Sequence, residues 1–236
     1  MDRKEKNRLK KYLLLQRDLG FDEFYFPESS RPRCNTTVKR LGIDNFEESE
    51  SIEQLEATIK RCKRCSLGKT RTSFVFGVGN PDADIMFIGE APGRDEDLQG
   101  IPFVGRAGKL LDKMLAEIGL NRNEVFIANI LKCRPPNNRD PEQEEVDHCL
   151  PYLIKQIKLI KPKAICSLGR IAAQRILQTN MALGAMRGRW FDYHGIKFMV
   201  TYHPAAILRS NSYLPGALED LKRLAKSVDS IKTGQE

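Results

Sequence analysis

The chain has 236 residues, of which 41% are hydrophobic, and its 39 lysines and arginines exceed its 31 aspartates and glutamates, giving a net charge of +8. No stretch approaches the ~18 uncharged apolar residues of a membrane span, and the charged first eleven residues lack the hydrophobic segment of a signal peptide. We therefore expect an intracellular protein with one main domain and, given its charge, a polyanion as a candidate partner.

The first fifty residues differ from the rest, and we predict an N-terminal extension over residues 1–50 followed by one domain over residues 51–236. Residues 4–19 alternate leucines with lysines and arginines, which predicts a basic amphipathic helix that ends at Gly20. That helix either binds a partner protein or packs on the domain. The acidic residues 47–53 are predicted to be a linker.

From Leu55 onward, short apolar runs bounded by turn residues alternate with stretches of helical periodicity. Predicted strands cover residues 84–89, 125–130, 164–169 and 197–202, and predicted helices cover residues 105–118, 142–160 and 170–178. Buried strands separated by helices predict an α/β fold whose mainly parallel sheet is covered on both faces. Ligand-binding residues of such folds lie at the carboxyl ends of the strands.

Four cysteines predict a metal centre that joins distant parts of the domain. Cys62 and Cys65 form a CxxC turn, whereas Cys133 and Cys149 lie sixteen positions apart. Four scattered thiolates suit a cubane iron–sulfur cluster better than one zinc ion, although zinc or unliganded buried thiols remain alternatives. Cys166, inside an apolar run, is expected to pack as a small hydrophobe.

The loop after the first predicted strand contains Gly89 and Gly93, which let backbone N–H groups approach a flat or anionic ligand. Its spacing matches neither a dinucleotide site nor a nucleoside-triphosphate loop. Residues 95–97 are all acidic and indicate either a magnesium site or a solvated loop. Phe103 follows in a loop, where its ring either stacks on a base or anchors the loop.

Polar residues close two of the other predicted strands. Asn129 offers a donor and an acceptor together and can read the edge of a pyrimidine, unless it bonds local backbone. His203 can donate to a carbonyl that gains negative charge. His148 and His194 lack this context and are expected to be structural.

From about residue 55 to residue 225 the chain resembles the uracil-DNA glycosylases that contain an iron–sulfur cluster, the family-four type. The resemblance rests on KRCSL, GEAPGRDED, GIPFVGRAGKLLDKML, ANILKCRPPNNR and HPAAILR in this order, with Cys149 at a matching distance. It implies a three-layer αβα, uracil-DNA glycosylase-like fold and an enzyme that hydrolyses the N-glycosidic bond of uracil in DNA. It also implies that the cysteines hold a structural [4Fe-4S] cluster: Cys62, Cys65, Cys133 and Cys149.

The resemblance assigns roles around the base. His203 donates to uracil O2, Asn129 faces N3 and O4, and Phe103 stacks on the ring, while backbone contacts come from three adjacent residues, Glu90, Ala91 and Pro92. Other uracil glycosylases place a water-activating aspartate where this chain has Ala91, which leaves Glu90 and Glu96 as candidates for orienting the water or supporting the loop. The aromatic residue that blocks thymine in the best-known relatives corresponds to Gly93.

The resemblance also implies DNA contacts. The segment 205–210 is predicted to be a loop at the minor groove, in which Leu208 acts as a wedge and Arg209 meets phosphate, although ordinary packing of Ile207 and Leu208 is the alternative. Further phosphate contacts are predicted at three cations beside a cluster cysteine: Lys132, Arg134 and Arg139.

We therefore expect a monomer, cytoplasmic or nucleoid-associated, that acts on uracil-containing single- or double-stranded DNA. A noncatalytic iron–sulfur DNA-binding module associated with replication or repair is the main alternative function. A magnesium-dependent phosphohydrolase using residues 95–97 is another.

Overall fold

The computed structural model describes residues 45–233 and the two-residue strand Glu23–Phe24, so the predicted basic helix at residues 4–19 lies outside the described residues. The described strands form one seven-stranded sheet in the order β1-β6-β7-β5-β3-β4-β2. In chain order they are β1 (Glu23–Phe24), β2 (Val78–Gly79), β3 (Ile85–Gly89), β4 (Phe126–Asn129), β5 (Ala164–Leu168), β6 (Trp190–Tyr193) and β7 (Ile196–Thr201).

The centre of the sheet is parallel, as predicted. Strands β4, β3, β5 and β7 pair side by side in parallel, and they are the four strands predicted from the apolar runs. Strand β2 pairs antiparallel with β4, β6 pairs antiparallel with β7, and β1 pairs parallel with β6. The carboxyl ends of the central strands therefore meet at one edge.

The helices connect and cover these strands. They are α1 (Ile52–Ile59), α2 (Leu67–Thr70), α3 (Arg94–Gln99), α4 (Arg106–Ala116), α5 (Gln143–Ile160), α6 (Arg170–Ile176), α7 (Leu183–Met186), α8 (Pro204–Arg209) and α9 (Leu214–Thr233). Short 3₁₀ helices lie at Phe46–Glu48, Pro136–Asn138 and Asn211–Tyr213. Three of the helices, α4, α5 and α6, correspond to the predicted ones.

The core has two layers, one on each face of the sheet. Alternate side chains of a strand point to opposite faces, and in β3 Met86 and Ile88 pack with α1 and α5, whereas Ile85 and Phe87 pack with α4 and α9. Cys166 in β5 is fully buried in the second layer, as expected. The fold is thus a three-layer αβα sandwich.

The acidic residues 47–53 do not form the predicted linker. Phe46 is buried, and its ring meets that of Tyr152 in α5 edge to face, with centroids 4.9 Å apart. Ser51 then caps α1, because its Oγ accepts a hydrogen bond from the backbone of Gln54. The charges of this segment lie on elements packed against α5.

No helix in the described ranges is long and apolar enough to cross a membrane.

Candidate functional site

Gly89 lets two predicted site residues approach each other at the carboxyl edge of the sheet. A Cβ added to Gly89 would lie 2.4 Å from Asn129 Oδ1 and 2.6 Å from Phe103 Cζ, which is closer than real Cβ contacts allow. The space that the glycine leaves open is therefore filled by the amide of Asn129 and the ring of Phe103.

The carboxamide of Asn129 has an unused acceptor. The side chain is 2% exposed, and Oδ1 has no hydrogen-bond partner among the described residues. An unpaired buried polar atom costs about 1–3 kcal/mol. The alternative in which this oxygen bonds local backbone is not seen, and Oδ1 is available to a donor on a bound ligand.

Phe103 is held in an unusual backbone conformation. It is 5% exposed and has φ of 53°, in the left-handed region that bulky residues rarely adopt. Its ring centroid lies 5.7 Å from that of His203. The structure thus places the ring of Phe103 beside that of His203 and, across Gly89, close to the amide of Asn129.

His203 is positioned by the start of α8. Its Nδ1 accepts a hydrogen bond from the backbone N–H of Ala205 at 3.1 Å, which leaves the proton of the neutral imidazole on Nε2. Burial, assisted by the positive charge of Arg209 and opposed by Glu96, lowers the pKa of His203 to about 4. At neutral pH the ring is an uncharged donor.

The two candidate glutamates have different surroundings. Glu96 Oε1 accepts from the backbone N–H groups of Val104 and Gly105, both at 2.9 Å, and its Oε2 accepts from that of Gly93 at 3.1 Å. Glu96 therefore holds the loop that carries Phe103.

Glu90 keeps the properties of an acid–base group. It is half-buried, and burial raises its pKa to about 7, assisted by the negative charge of Asp140 and opposed by Arg170. A carboxyl group with this pKa exchanges its proton near neutral pH. Ala91, half-buried, and Pro92, buried, follow it directly in the loop after β3.

The acidic residues 95–97 do not form the magnesium site considered above. Asp97 is buried, and its Oδ1 accepts from the backbone N–H groups of Thr72 and Ser73, while Glu96 binds the loop of Phe103. Within the described ranges no three acidic, cysteine or histidine side chains converge on one ion position.

The segment after His203 forms the helix α8, so the prediction of a loop at residues 205–210 is wrong. Proline at the first helical position suits a helix start, because its missing N–H would have no intrahelical partner. Ile207 is buried, Leu208 is 43% exposed and Arg209 is exposed. Packing thus accounts for Ile207, and the other two side chains lie on the surface beside His203.

Lys132 is fully buried, so its prediction as a phosphate contact is wrong. Its Nζ donates to the backbone carbonyl of Asn129 at 2.9 Å and to Gln156 Oε1 at 2.6 Å, and Gln156 Nε2 donates in turn to Phe76 O.

The other two predicted phosphate contacts also have partners. Arg139 is bound by both carboxylate oxygens of Glu145, at 2.9 and 2.7 Å, and is already paired. Arg134, half-buried, donates to Asn138 Oδ1 at 2.8 Å. These partners are set by the folded structure, so the sequence around the two arginines does not predict them.

The four predicted metal ligands surround one cavity. Cys62, Cys65, Cys133 and Cys149 are free thiols, and together with Tyr152 and His148 they line about 250 Å³ of space that is partly open to solvent. His148 and His194 lie away from Asn129: His148 lines this cavity, and His194 follows β6 with its ring against Tyr193.

Polar groups point at these sulfurs. Arg71 Nη1 donates to Cys133 Sγ at 3.1 Å, the backbone N–H of Lys132 donates to Cys149 Sγ at 3.2 Å, and the Tyr152 hydroxyl lies 3.3 Å from Cys62 Sγ. Hydrogen bonds of this kind stabilise metal-bound thiolates.

The donor set fits a multinuclear cluster. Burial raises the pKa of Cys133 to about 11 and that of Cys149 to about 12, so thiolates here need a nearby positive centre. Each sulfur of a cubane site binds a different iron atom, so the sulfurs surround a volume, whereas the ligands of one zinc ion converge on a point. The four cysteines here line one cavity, and the described residues include no group of three Cys, His, Asp or Glu side chains that could hold a single ion.

The sequence pattern did not indicate Arg122. Its guanidinium donates to the carbonyls of Pro102 and Phe103, which lie 20 and 19 residues earlier in the chain. No spacing rule links a cation to carbonyls at that distance.

Comparisons with known proteins agree with this geometry. A family model described as the Uracil DNA glycosylase superfamily matches residues 76–223. A Type-4 uracil-DNA glycosylase from Archaeoglobus fulgidus is 46% identical over 190 residues, covering 77% of this chain and 94% of that protein. A protein of the same name from Saccharolobus solfataricus is 43% identical, covering 77% and 88%. One from Thermotoga maritima is 41% identical, covering 77% and 96%.

Proposed function

The chain belongs to the Uracil DNA glycosylase superfamily, and from that membership we propose that it excises uracil from DNA by hydrolysing the N-glycosidic bond, leaving an abasic site. The observation that carries the proposal is the buried Oδ1 of Asn129, which has no partner among the described residues and lies close to Phe103, whose ring is beside the neutral imidazole of His203.

His203 would stabilise the leaving group. Water adds to C1′ as the bond from C1′ to N1 breaks, and the bonding electron pair passes to the uracil ring, where negative charge builds on O2. The Nε2–H of a neutral His203 would donate to that oxygen. One such preorganised donor is worth about 2.7–4 kcal/mol in the transition state.

Asn129 would select uracil. Its Oδ1 would accept from N3–H and its Nδ2 would donate to O4. Cytosine presents an acceptor at N3 and an amino group at position 4, so both contacts would fail, and a site with buried polar groups rejects such a mismatch strongly. Phe103 would stack on the base after it leaves the duplex.

Glu90 would orient the attacking water and accept its proton. Support comes from its pKa of about 7, which matches that of a general base working at neutral pH. Glu96 would act indirectly by holding the Phe103 loop, and the backbone at Ala91 and Pro92 would contact the base.

Leu208 and Arg209 would contact the DNA. An exposed leucine next to the pocket suits a wedge that fills the space left by the flipped base, and Arg209 would meet a phosphate. Their exposure on α8, directly after His203, supports this role.

Cys62, Cys65, Cys133 and Cys149 would hold a [4Fe-4S] cluster. When bound it would cross-link the CxxC turn, the segment after β4 and helix α5, and hydrolysis requires no electron transfer from it. Purified protein should be brown, with visible charge-transfer absorbance and about four iron atoms per chain. One zinc atom and no colour would contradict this assignment.

The activity is tested with single- and double-stranded oligonucleotides that contain one uracil, followed by alkaline cleavage at abasic sites. We expect cleavage at uracil, none in matched cytosine oligonucleotides, and activity that survives EDTA. Binding of uracil-containing DNA without cleavage would instead indicate the noncatalytic iron–sulfur module.

A further inference from the structure

We propose that Arg122 is a positioning residue that fixes the ring of Phe103 for stacking on the base, an inference that rests on the proposed glycosylase function. Its guanidinium holds two consecutive carbonyls of the Phe103 loop. Nη2 donates to Pro102 O at 2.8 Å and to Phe103 O at 2.7 Å, and Nη1 donates to Phe103 O at 3.0 Å.

Arg122 is itself well anchored. Its side chain is 23% exposed, and its Nε forms an ion pair with Asp112 on α4 at 3.3 Å. The turn around it is closed by Asn121, whose backbone N–H donates to Glu124 Oε2 at 2.8 Å and whose Oδ1 accepts from Asn123 N at 2.9 Å. The guanidinium therefore presents its donors from a fixed base.

The Phe103 backbone needs this support. A bulky residue keeps the left-handed conformation, here φ of 53°, only where its surroundings hold it. Glu96 binds the two N–H groups that follow Phe103, and Arg122 binds the carbonyls on either side of its Cα. The two charged side chains thus fix consecutive peptide groups of one loop.

A lysine could not replace this arrangement fully. The planar guanidinium reaches two carbonyls at once through a rigid fork, whereas an ammonium group is a single point donor. The arginine at this position therefore sets the direction of the Phe103 ring as well as the stability of the loop.

The test compares Arg122→Met, which keeps an unbranched apolar stem but cannot donate, with Arg122→Lys and with Lys113→Met. Lys113→Met is the matched control, because it removes one exposed positive charge from α4. We expect Arg122→Met to lower kcat/KM for uracil excision and to weaken inhibition by free uracil, each roughly tenfold, a loss typical of reduced base–aromatic stacking. Arg122→Lys should fall between it and the wild type.

A double-mutant cycle separates positioning from general stability. In a Phe103→Ala background, Arg122→Met should change kcat/KM by less than about twofold, because both substitutions act through the same ring. All variants are assayed well below their unfolding midpoints. A tenfold loss in both backgrounds, or a loss no larger than that of Lys113→Met, would overturn the inference. Absence of excision by the wild type would instead overturn the proposed function itself.

Discussion

The side chain of Asn129 is expected to favour excision but to lower stability, because its buried Oδ1 has no hydrogen-bond partner among the described residues. Asn129→Leu keeps the branching of the side chain and removes the buried acceptor, which costs about 1–3 kcal/mol while it has no partner among the described residues. We expect excision to fall at least ~100-fold, as a polar pocket loses its specific contacts, while the free energy of unfolding stays unchanged or rises. Chemical denaturation and single-turnover excision measure the two effects. A large loss of stability would show that the oxygen has a partner in the native protein.

The shifted pKa of His203 predicts a pH dependence of stability. The pKa is about 4 in the folded state, below its usual value of about 6.5. Between these values the unfolded chain binds a proton that the native ring does not, so this residue makes stability fall as pH drops from about 6.5 to 4. We expect His203→Asn to make that decline shallower in urea unfolding series.

His194→Asn controls for the substitution itself, since His194 lies in a turn with φ of 55°, a conformation that asparagine tolerates. An identical slope in wild type and His203→Asn would contradict a ring that is neutral in the native state.

Sequence predicts the residues whose chemistry is local and misses those whose partners are distant. Asn129 and His203 could be placed at the edge of the sheet because each follows an apolar run. The burial of Lys132 could not be predicted, because lysine side chains normally reach solvent. Its acceptor, Gln156 Oε1, lies 24 residues away in the chain.

At the scale of elements, the packing of α4 on the Phe103 loop depends on one glycine. A Cβ added to Gly108 would lie 1.8 Å from Phe103 O. Replacing glycine with alanine in an unconstrained helix stabilises the helix by roughly 1 kcal/mol. A Gly108→Ala substitution that instead destabilises the protein would therefore show that the close contact with Phe103 matters. We expect Gly108→Ala to lower the unfolding midpoint and to reduce excision, measured by thermal denaturation and by the oligonucleotide assay.

Gly184→Ala in α7 is the matched control, because no atom of the described residues, apart from its chain neighbours and its own helix backbone, lies within 4 Å of its added Cβ. It should leave the unfolding midpoint unchanged or raise it slightly. A Gly108→Ala protein that behaves like this control would show that the loop can move away from α4 without loss.

The central strands could be predicted because β3, β4 and β5 are buried on both faces and are mostly apolar. Strands β2 and β6, which flank the central strands, were missed for physical reasons. Strand β2 has only two residues, and β6 alternates buried with exposed positions next to a turn. Helix α8 was predicted as a loop since six residues give too little periodicity to recognise.

For the whole molecule, the excess of positive charge predicts a strong effect of salt. With 39 basic and 31 acidic residues, binding to DNA should release counterions, and affinity should fall steeply as salt rises. We expect at least a tenfold loss between roughly 50 and 200 mM salt, measured by fluorescence anisotropy with Asn129→Leu to prevent excision. A flat response would argue against DNA as the partner.

Lys132 also constrains how relatives of this protein can diverge. Its backbone amide serves Cys149 and its side chain serves the carbonyl of Asn129 and the amide of Gln156. A lineage that loses the proposed cluster therefore has to do more than exchange four cysteines for apolar residues. It must also replace the buried lysine next to Cys133 with a residue that keeps the strand end carrying Asn129 in register, so this loss requires several coordinated substitutions.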